Sequence, residues 1–260
     1  MRLLFNVIGH TMNMNPVFFE YSMVVTLILY TLSAAFVFLH ASRPATLFVL
    51  AGLILNLIFL VSRGQIGNNW YLFPMVDELY LIPAIMAAFM YPAIGKRERN
   101  EVVTIMGTLL IATFIAVIAD IEPPSPTIKG KSLVASLFFL SEAISVTLFL
   151  TAGAVAAAML PAKLPVKESW NGLLLWGFVM FTLCQILGAL WAFLGWSYPF
   201  SWSNRHLLSA SIWCFYGAAI HLRYIGMNLK SKALLTILGI VPVVFMVYHH
   251  QVTELLGVIL

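Results

Sequence analysis

Three tryptophans stand within twelve residues, Trp191, Trp196 and Trp202, interleaved with Gly195, Tyr198, Pro199 and Phe200. Flat indole faces at that density suit a planar apolar ligand, a porphyrin or a quinone. An apolar stretch follows, and it carries a histidine, His221. Neutral imidazole is a common ligand of haem iron, and an ionisable side chain in such a stretch has a functional reading by default. Aromatic platform and apolar-stretch histidine together point to haem. Two plainer readings stay open: tryptophans also gather at membrane interfaces without any ligand, and a lone histidine can simply bond a neighbouring helix.

The elements that must hold these residues follow from composition. Of the 260 residues, 62% are hydrophobic and 9% charged, and the mean hydropathy is +0.97, far outside the range of soluble globular domains. This is an integral membrane protein by composition. With ~20 apolar residues per span there is room for about eight helices and no soluble catalytic domain. Apolar runs separated by charge, Gly and Pro predict spans over Val17 to His40, Thr46 to Ser62, Val76 to Ile94, Val102 to Ile121, Ser132 to Leu160, Trp170 to Leu194, Leu207 to Met227 and Ala233 to Tyr248. Long continuous runs mean helices rather than barrel strands. The expected fold is all-α, a polytopic transmembrane bundle forming a single domain over 1–260.

Lys and Arg set the expected orientation. Connections one, three, five and seven hold Arg43; Lys96, Arg97 and Arg99; Lys163 and Lys167; and Arg223, Lys230 and Lys232, nine of the fourteen basic residues. Arg2, Arg63, Lys129, Lys131 and Arg205 fall on the other side. The positive-inside bias then puts both termini and the Trp-rich sixth connection outside. The net charge of +4 is explained by loops lying near anionic lipid, with no nucleic acid required. The residues before the first span lack the apolar core and cleavage site of a removable signal, so that span is expected to act as the targeting signal.

Depth sorts the remaining candidates. His221 lies about fourteen residues into its span, ~21 Å from the outer end. His40 ends the first span at a comparable level, so the two could bracket a b-type haem, although a histidine beside Arg43 also reads as interfacial. His206, His249 and His250 fall near the outer surface, and adjacent histidines cannot both face one metal from a helix. Glu142 is mid-span, where a carboxyl must be neutral or partnered: it reads as a proton-relay group or as a protonated structural carboxyl bonded to a neighbouring helix, with Gln185 and Asn56 among the in-span candidates for its partner. Asp77 and Glu78 are expected to be solvated or paired with Arg63 at the start of the third span. Cys184 and Cys214 both fall inside spans, where they read as small packing residues. No Ser-His-Asp set, HExxH, P-loop or dinucleotide fingerprint is present in the sequence.

From Leu187 onward the sequence resembles the cytochrome c assembly family of haem-handling membrane proteins. That family has a Trp-rich external segment ending in Trp-Asp, then a helix of the pattern Trp-x-x-Tyr-x-x-x-x-His-x-Arg, matched here by Trp213, Tyr216, His221 and Arg223. Weaker echoes lie in Arg63 to Tyr80 and in the Pro-led entry from Pro123 to Leu160. The resemblance implies a bacterial inner-membrane protein, its Trp-rich loop periplasmic, that binds haem through His221, with His40 or His206 as further ligands, beneath a platform of Trp191, Trp196 and Trp202. It implies partners among the proteins of cytochrome assembly or of a cytochrome complex. Two departures bear on that role: Ser203 stands where the family has Asp, and Val134 stands near the place of an external histidine. The chain ends at Leu260, about where a second external histidine would fall. Without those ligands a catalytic role in haem attachment is not expected. A structural or electron-transfer subunit on the same scaffold and a cofactor-free docking protein are the other readings.

Overall fold

A computed structural model describes residues 16–66, 78–119, 132–160, 170–222 and 224–248. The described residues form eight helices and no strand. They are α1 (Pro16–Phe38), α2 (Ser42–Ile66), α3 (Glu78–Ala93), α4 (Arg99–Ala119), α5 (Leu133–Met159), α6 (Asn171–Trp196), α7 (Asn204–Leu222) and α8 (Leu229–Leu238), the last resuming after Gly239 and running on to Tyr248. Six of these, α1, α2, α4, α5, α6 and the whole of Leu229–Tyr248, are long and apolar enough to cross a membrane, the mark of an integral membrane protein. Two predicted spans are weaker. α3 has 16 described residues and two internal prolines, Pro83 and Pro92. α7 has 19, and opens on the polar run Asn204, Arg205, His206.

Helix α5 is the centre of the bundle, packing against α3, α4, α6 and α8. Of its span 72% is buried, against 39% or less for the other five long helices, and the residues explain this. Ala143, Ser145, Thr147, Thr151, Ala152, Gly153, Ala154 and Ala156 give it a thin profile on every side. Between helices in lipid, close approach replaces the hydrophobic effect as the cohesive force, and small residues permit it. At Gly153 an added Cβ would collide with Ile240 Cδ1 of the last helix. Farther along, Phe149 of α5 stacks on Tyr216 of α7, centroids 3.8 Å apart and rings parallel to within 1°.

Polar side chains are mostly answered within their own helix. Thr26, Thr46, Ser62, Thr113, Thr151 and Thr236 each donate to the carbonyl four residues back, at 2.7–3.0 Å. Ties between helices include Ser33 Oγ donating to Ala45 O at 2.8 Å and Trp213 Nε1 donating to Thr182 Oγ1 at 3.0 Å. Asn56 of α2 docks on the backbone of α3 beside Pro83, its amide nitrogen 3.2 Å from Tyr80 O and its oxygen 3.3 Å from Ala84 N.

The glycine at 153 is the tightest of these contacts. Gly153→Val should displace the last helix and lower the detergent melting temperature by several degrees, overpacking costing about 1–3 kcal/mol; an unchanged melting temperature would refute the close approach.

Candidate functional site

The indole end of the bundle contains a cavity of ≈ 600 Å³ between α5, α6 and α7. Its walls come from three elements. Phe138 and Phe139 sit near the start of α5, Trp191 and Trp196 near the end of α6, and Trp213 one face into α7. Trp191 is the hub: it stacks on Phe138 with centroids 5.7 Å apart, and meets Phe139 and Trp196 edge to face at 5.6 and 5.4 Å. Edge-to-face and offset contacts of this kind fix ring orientation, so the wall is preorganised. Gly188 makes room for it, since an added Cβ would lie 2.9 Å from Phe138.

The connection from α6 to α7 turns sharply at Ser197, whose φ of 65° is left-handed and whose N–H closes the helix on Phe193 O at 2.8 Å. The short segment that follows brings Tyr198, Pro199, Phe200 and Ser201 over the cavity. Phe200 leans on the His206 ring at 5.5 Å. Nδ1 of His206 lies 2.9 Å from Ser201 Oγ and 2.8 Å from Ser203 Oγ. With Nδ1–H donating to a serine oxygen, Nε2 keeps its lone pair for a further partner. Partial burial, and then the neighbouring Arg205 charge, hold this imidazole below the usual histidine range.

Arg205 forms a charged part of the lining. Its Nη2 donates to Glu142 Oε2 at 2.8 Å, joining α7 to α5, with the arginine side chain 30% exposed and the glutamate 2%. The sequence reading looked for Glu142's partner in Gln185 or Asn56. The structure corrects this: Asn56 is spent on α3, and the cation one residue inside α7 reaches the carboxylate. Glu78 is corrected as well. It is buried rather than solvated, and lies within electrostatic reach of Glu142 and Arg205. The Arg63 guanidinium lies over the Tyr80 ring, 4.4 Å from its centroid.

The candidate ligands are not brought together. His221 is exposed, near the C-terminus of α7, with Nδ1 on Gly217 O of its own helix at 2.7 Å. His40 lies at the turn between α1 and α2, and α1 packs chiefly on α2 and α4 while α7 packs on α6 and α8 and touches α5 through Arg205 and Tyr216. A bis-histidine bracket across α1 and α7 would need those two helices side by side. His40 has a local role instead: with φ 59° it is the left-handed residue that ends α1, as Ala41 N–H bonds Phe36 O at 2.9 Å and His40 N–H bonds Val37 O at 3.2 Å. Of the three tryptophans, Trp191 and Trp196 line the cavity, whereas Trp202 stands outside it, 82% exposed with its edge toward Phe200. Both cysteines are free, Cys184 buried and Cys214 on the cavity lining. Among the described residues no group of three or more His, Cys, Asp or Glu could hold a bare metal ion. His249, His250, Asp77 and Arg223 lie outside the described residues.

Phe138, Phe139, Trp213 and Arg205 were not singled out as cavity residues by sequence reading. One signal was available: a mid-span carboxylate needs a cation, and Arg205 is the basic residue at the indole end of the neighbouring span.

Two measurements check these assignments. His40→Gly should leave the fold intact and raise stability by up to about 1 kcal/mol, since glycine adopts the left-handed conformation without penalty; a loss of stability would overturn the helix-ending role. In a histidine-resolved NMR titration His206 should lose its proton at a lower pH than an ordinary histidine, and Arg205→Gln should move that value up. No family model, curated protein or solved structure matches this chain.

Proposed function

We propose that this chain is a membrane-embedded haem-handling protein whose cavity at the indole end would take the porphyrin, with His206 as the residue that would hold its iron. The observation that carries the reading is the cavity itself: ≈ 600 Å³, walled by Phe138, Phe139, Trp191, Trp196 and Trp213, with one oriented imidazole and one guanidinium on its lining. That volume lies within the range of small-molecule sites, ~300–1,000 Å³. The residues fit the group in kind. Aromatic faces take the macrocycle, His206 offers Nε2 with Nδ1 already engaged by serine hydroxyls, and Arg205 offers N–H donors to an acidic substituent. Bound haem would supply one-electron redox chemistry or be passed on as cargo; the chain's share is to bind, orient and shield it.

The resemblance to cytochrome c assembly proteins supports the same ligand, and Ser203 gives its departure a role. Where that family has an acid, this chain has a hydroxyl 2.8 Å from His206 Nδ1. The orientation that goes with this reading puts the indole end on the periplasmic side of a bacterial inner membrane. A second reading, a subunit docked to a cytochrome complex, is favoured by Trp202, which is 82% exposed beside the cavity mouth and offers a partner an anchoring indole.

Titration of the purified protein in detergent with ferric haem should give a saturable Soret shift. His206→Ala should weaken binding by about tenfold or more, one lost ligand bond being worth at least ~1.4 kcal/mol. His221→Ala should leave the spectrum unchanged. Loss of the signal on the His221 change and not on the His206 change would overturn this site. Absence of any haem spectrum would leave the docking reading.

A further inference from the structure

Among the described residues the charged group behind the cavity wall is out of balance. Glu142 is 1% exposed and Glu78 6%, and the cation in electrostatic contact with both is Arg205. Arg205 is committed to Glu142 through Nη2 at 2.8 Å. The Oε1 atom of Glu78 is buried without a hydrogen-bond partner. Two ionised carboxylates against one cation would leave a net negative charge away from water, which is expensive enough that such pairs ordinarily keep one proton between them. The guanidinium also faces the cavity, being 30% exposed and part of its lining. A planar fork with five donors can serve a carboxylate on each side, but its single charge can neutralise only one.

We propose that Arg205 recognises a carboxylate on the cavity's ligand, and that the ligand's arrival transfers one proton from solvent to the Glu78–Glu142 pair. This rests on the cavity being the ligand site and adds what class of ligand it takes: flat, apolar and acidic. The charge balance is simple. One negative charge enters with the ligand and takes over Arg205; one proton joins a glutamate carboxylate, forming an O–H bond; the buried group's net charge is unchanged. The titratable groups in electrostatic contact with this cluster are Cys184 of α6, Tyr248 of the last helix beside Glu78, and the His206 imidazole beside Arg205, whose share of any proton uptake is separated from that of the carboxylates by the Glu78→Gln, Glu142→Gln double variant. Ligand binding is therefore coupled to proton uptake at a site inside the bundle.

The test uses iron-free protoporphyrin IX and its dimethyl ester, so that no metal ligand enters, with quenching of Trp191 and Trp196 fluorescence as readout. Between pH 7 and 8.5 the propionates stay ionised. In that range the free acid should bind more tightly by about tenfold for each unit the pH falls, the signature of one coupled proton, while the ester binds with no pH dependence. At fixed pH, calorimetry in buffers of different ionisation heat should register about one proton taken up per free acid bound and none for the ester. The Glu78→Gln, Glu142→Gln double variant should flatten the slope, and Arg205→Gln should abolish the preference for the acid. If both porphyrins bind alike and without proton uptake, this inference falls and the haem-handling reading stands. If neither binds at any pH while ferric haem still gives its Soret shift, this inference alone falls; if ferric haem gives none either, both fall. The comparison of acid with ester needs only the unmodified protein, so it decides even where a variant fails to fold.

Discussion

A carboxylate buried in the middle of a helix bundle must find a cation or remain neutral, and the way Glu142 meets that demand organises the indole end of this protein. Its oxygen accepts from Arg205 at 2.8 Å, which ties the central helix to the start of α7. The position of α7 sets the reach of the α6–α7 connection, and that connection carries Phe200 and the serines that hold His206. A hydrophobic pair in place of the ion pair would pack at least as well. What it would not supply is a charged edge on an otherwise aromatic cavity.

The rest of the bundle allows that pair to form. The small residues in the second half of α5, Thr147, Thr151, Ala152, Gly153, Ala154 and Ala156, let its neighbours come close, as Ile240 does at Gly153. In its first half Phe138 and Phe139 project where α5 and α6 meet Trp191. The cavity lies at that aromatic end, and Trp191 is held in its wall by Phe138, Phe139 and Trp196.

Much of the fold was legible from hydropathy. The eight helices among the described residues fall on the eight predicted apolar runs, and six of them are long and apolar enough to cross a membrane, continuous apolar runs in lipid having only one way to satisfy their backbone. α3 and α7 show where the signal weakens. Glu78 and Arg205, polar residues at the indole end of these two helices, belong to the buried cluster rather than to solvent. The site was legible only in part. Trp191, Trp196 and His206 stand out by type and do line the cavity, but Trp202 is as conspicuous in the sequence and lies outside, because the left-handed turn at Ser197 and the run through Pro199 bring Phe200 inward in its stead. Gln185 and Asn56 were reasonable partners for Glu142 by depth alone. Depth does not say which helices are neighbours, and the α5–α7 proximity is a tertiary fact. Likewise Ser203 reads as a missing acid until the loop closes it on His206.

The self-contained hydroxyls of the long helices have a mechanical consequence. Thr26, Thr46, Ser62, Thr113, Thr151 and Thr236 all fold back on their own carbonyls. Among the described residues the ties between helices, such as Ser33 to Ala45, Asn56 to α3, Trp213 to Thr182 and Arg205 to Glu142, are single points rather than ladders. Sliding one shaft past another would break them, but leaning by small angles about such points would not. The protein can thus meet a thinner or thicker bilayer by changing helix tilt, while the region around Arg205 keeps its geometry.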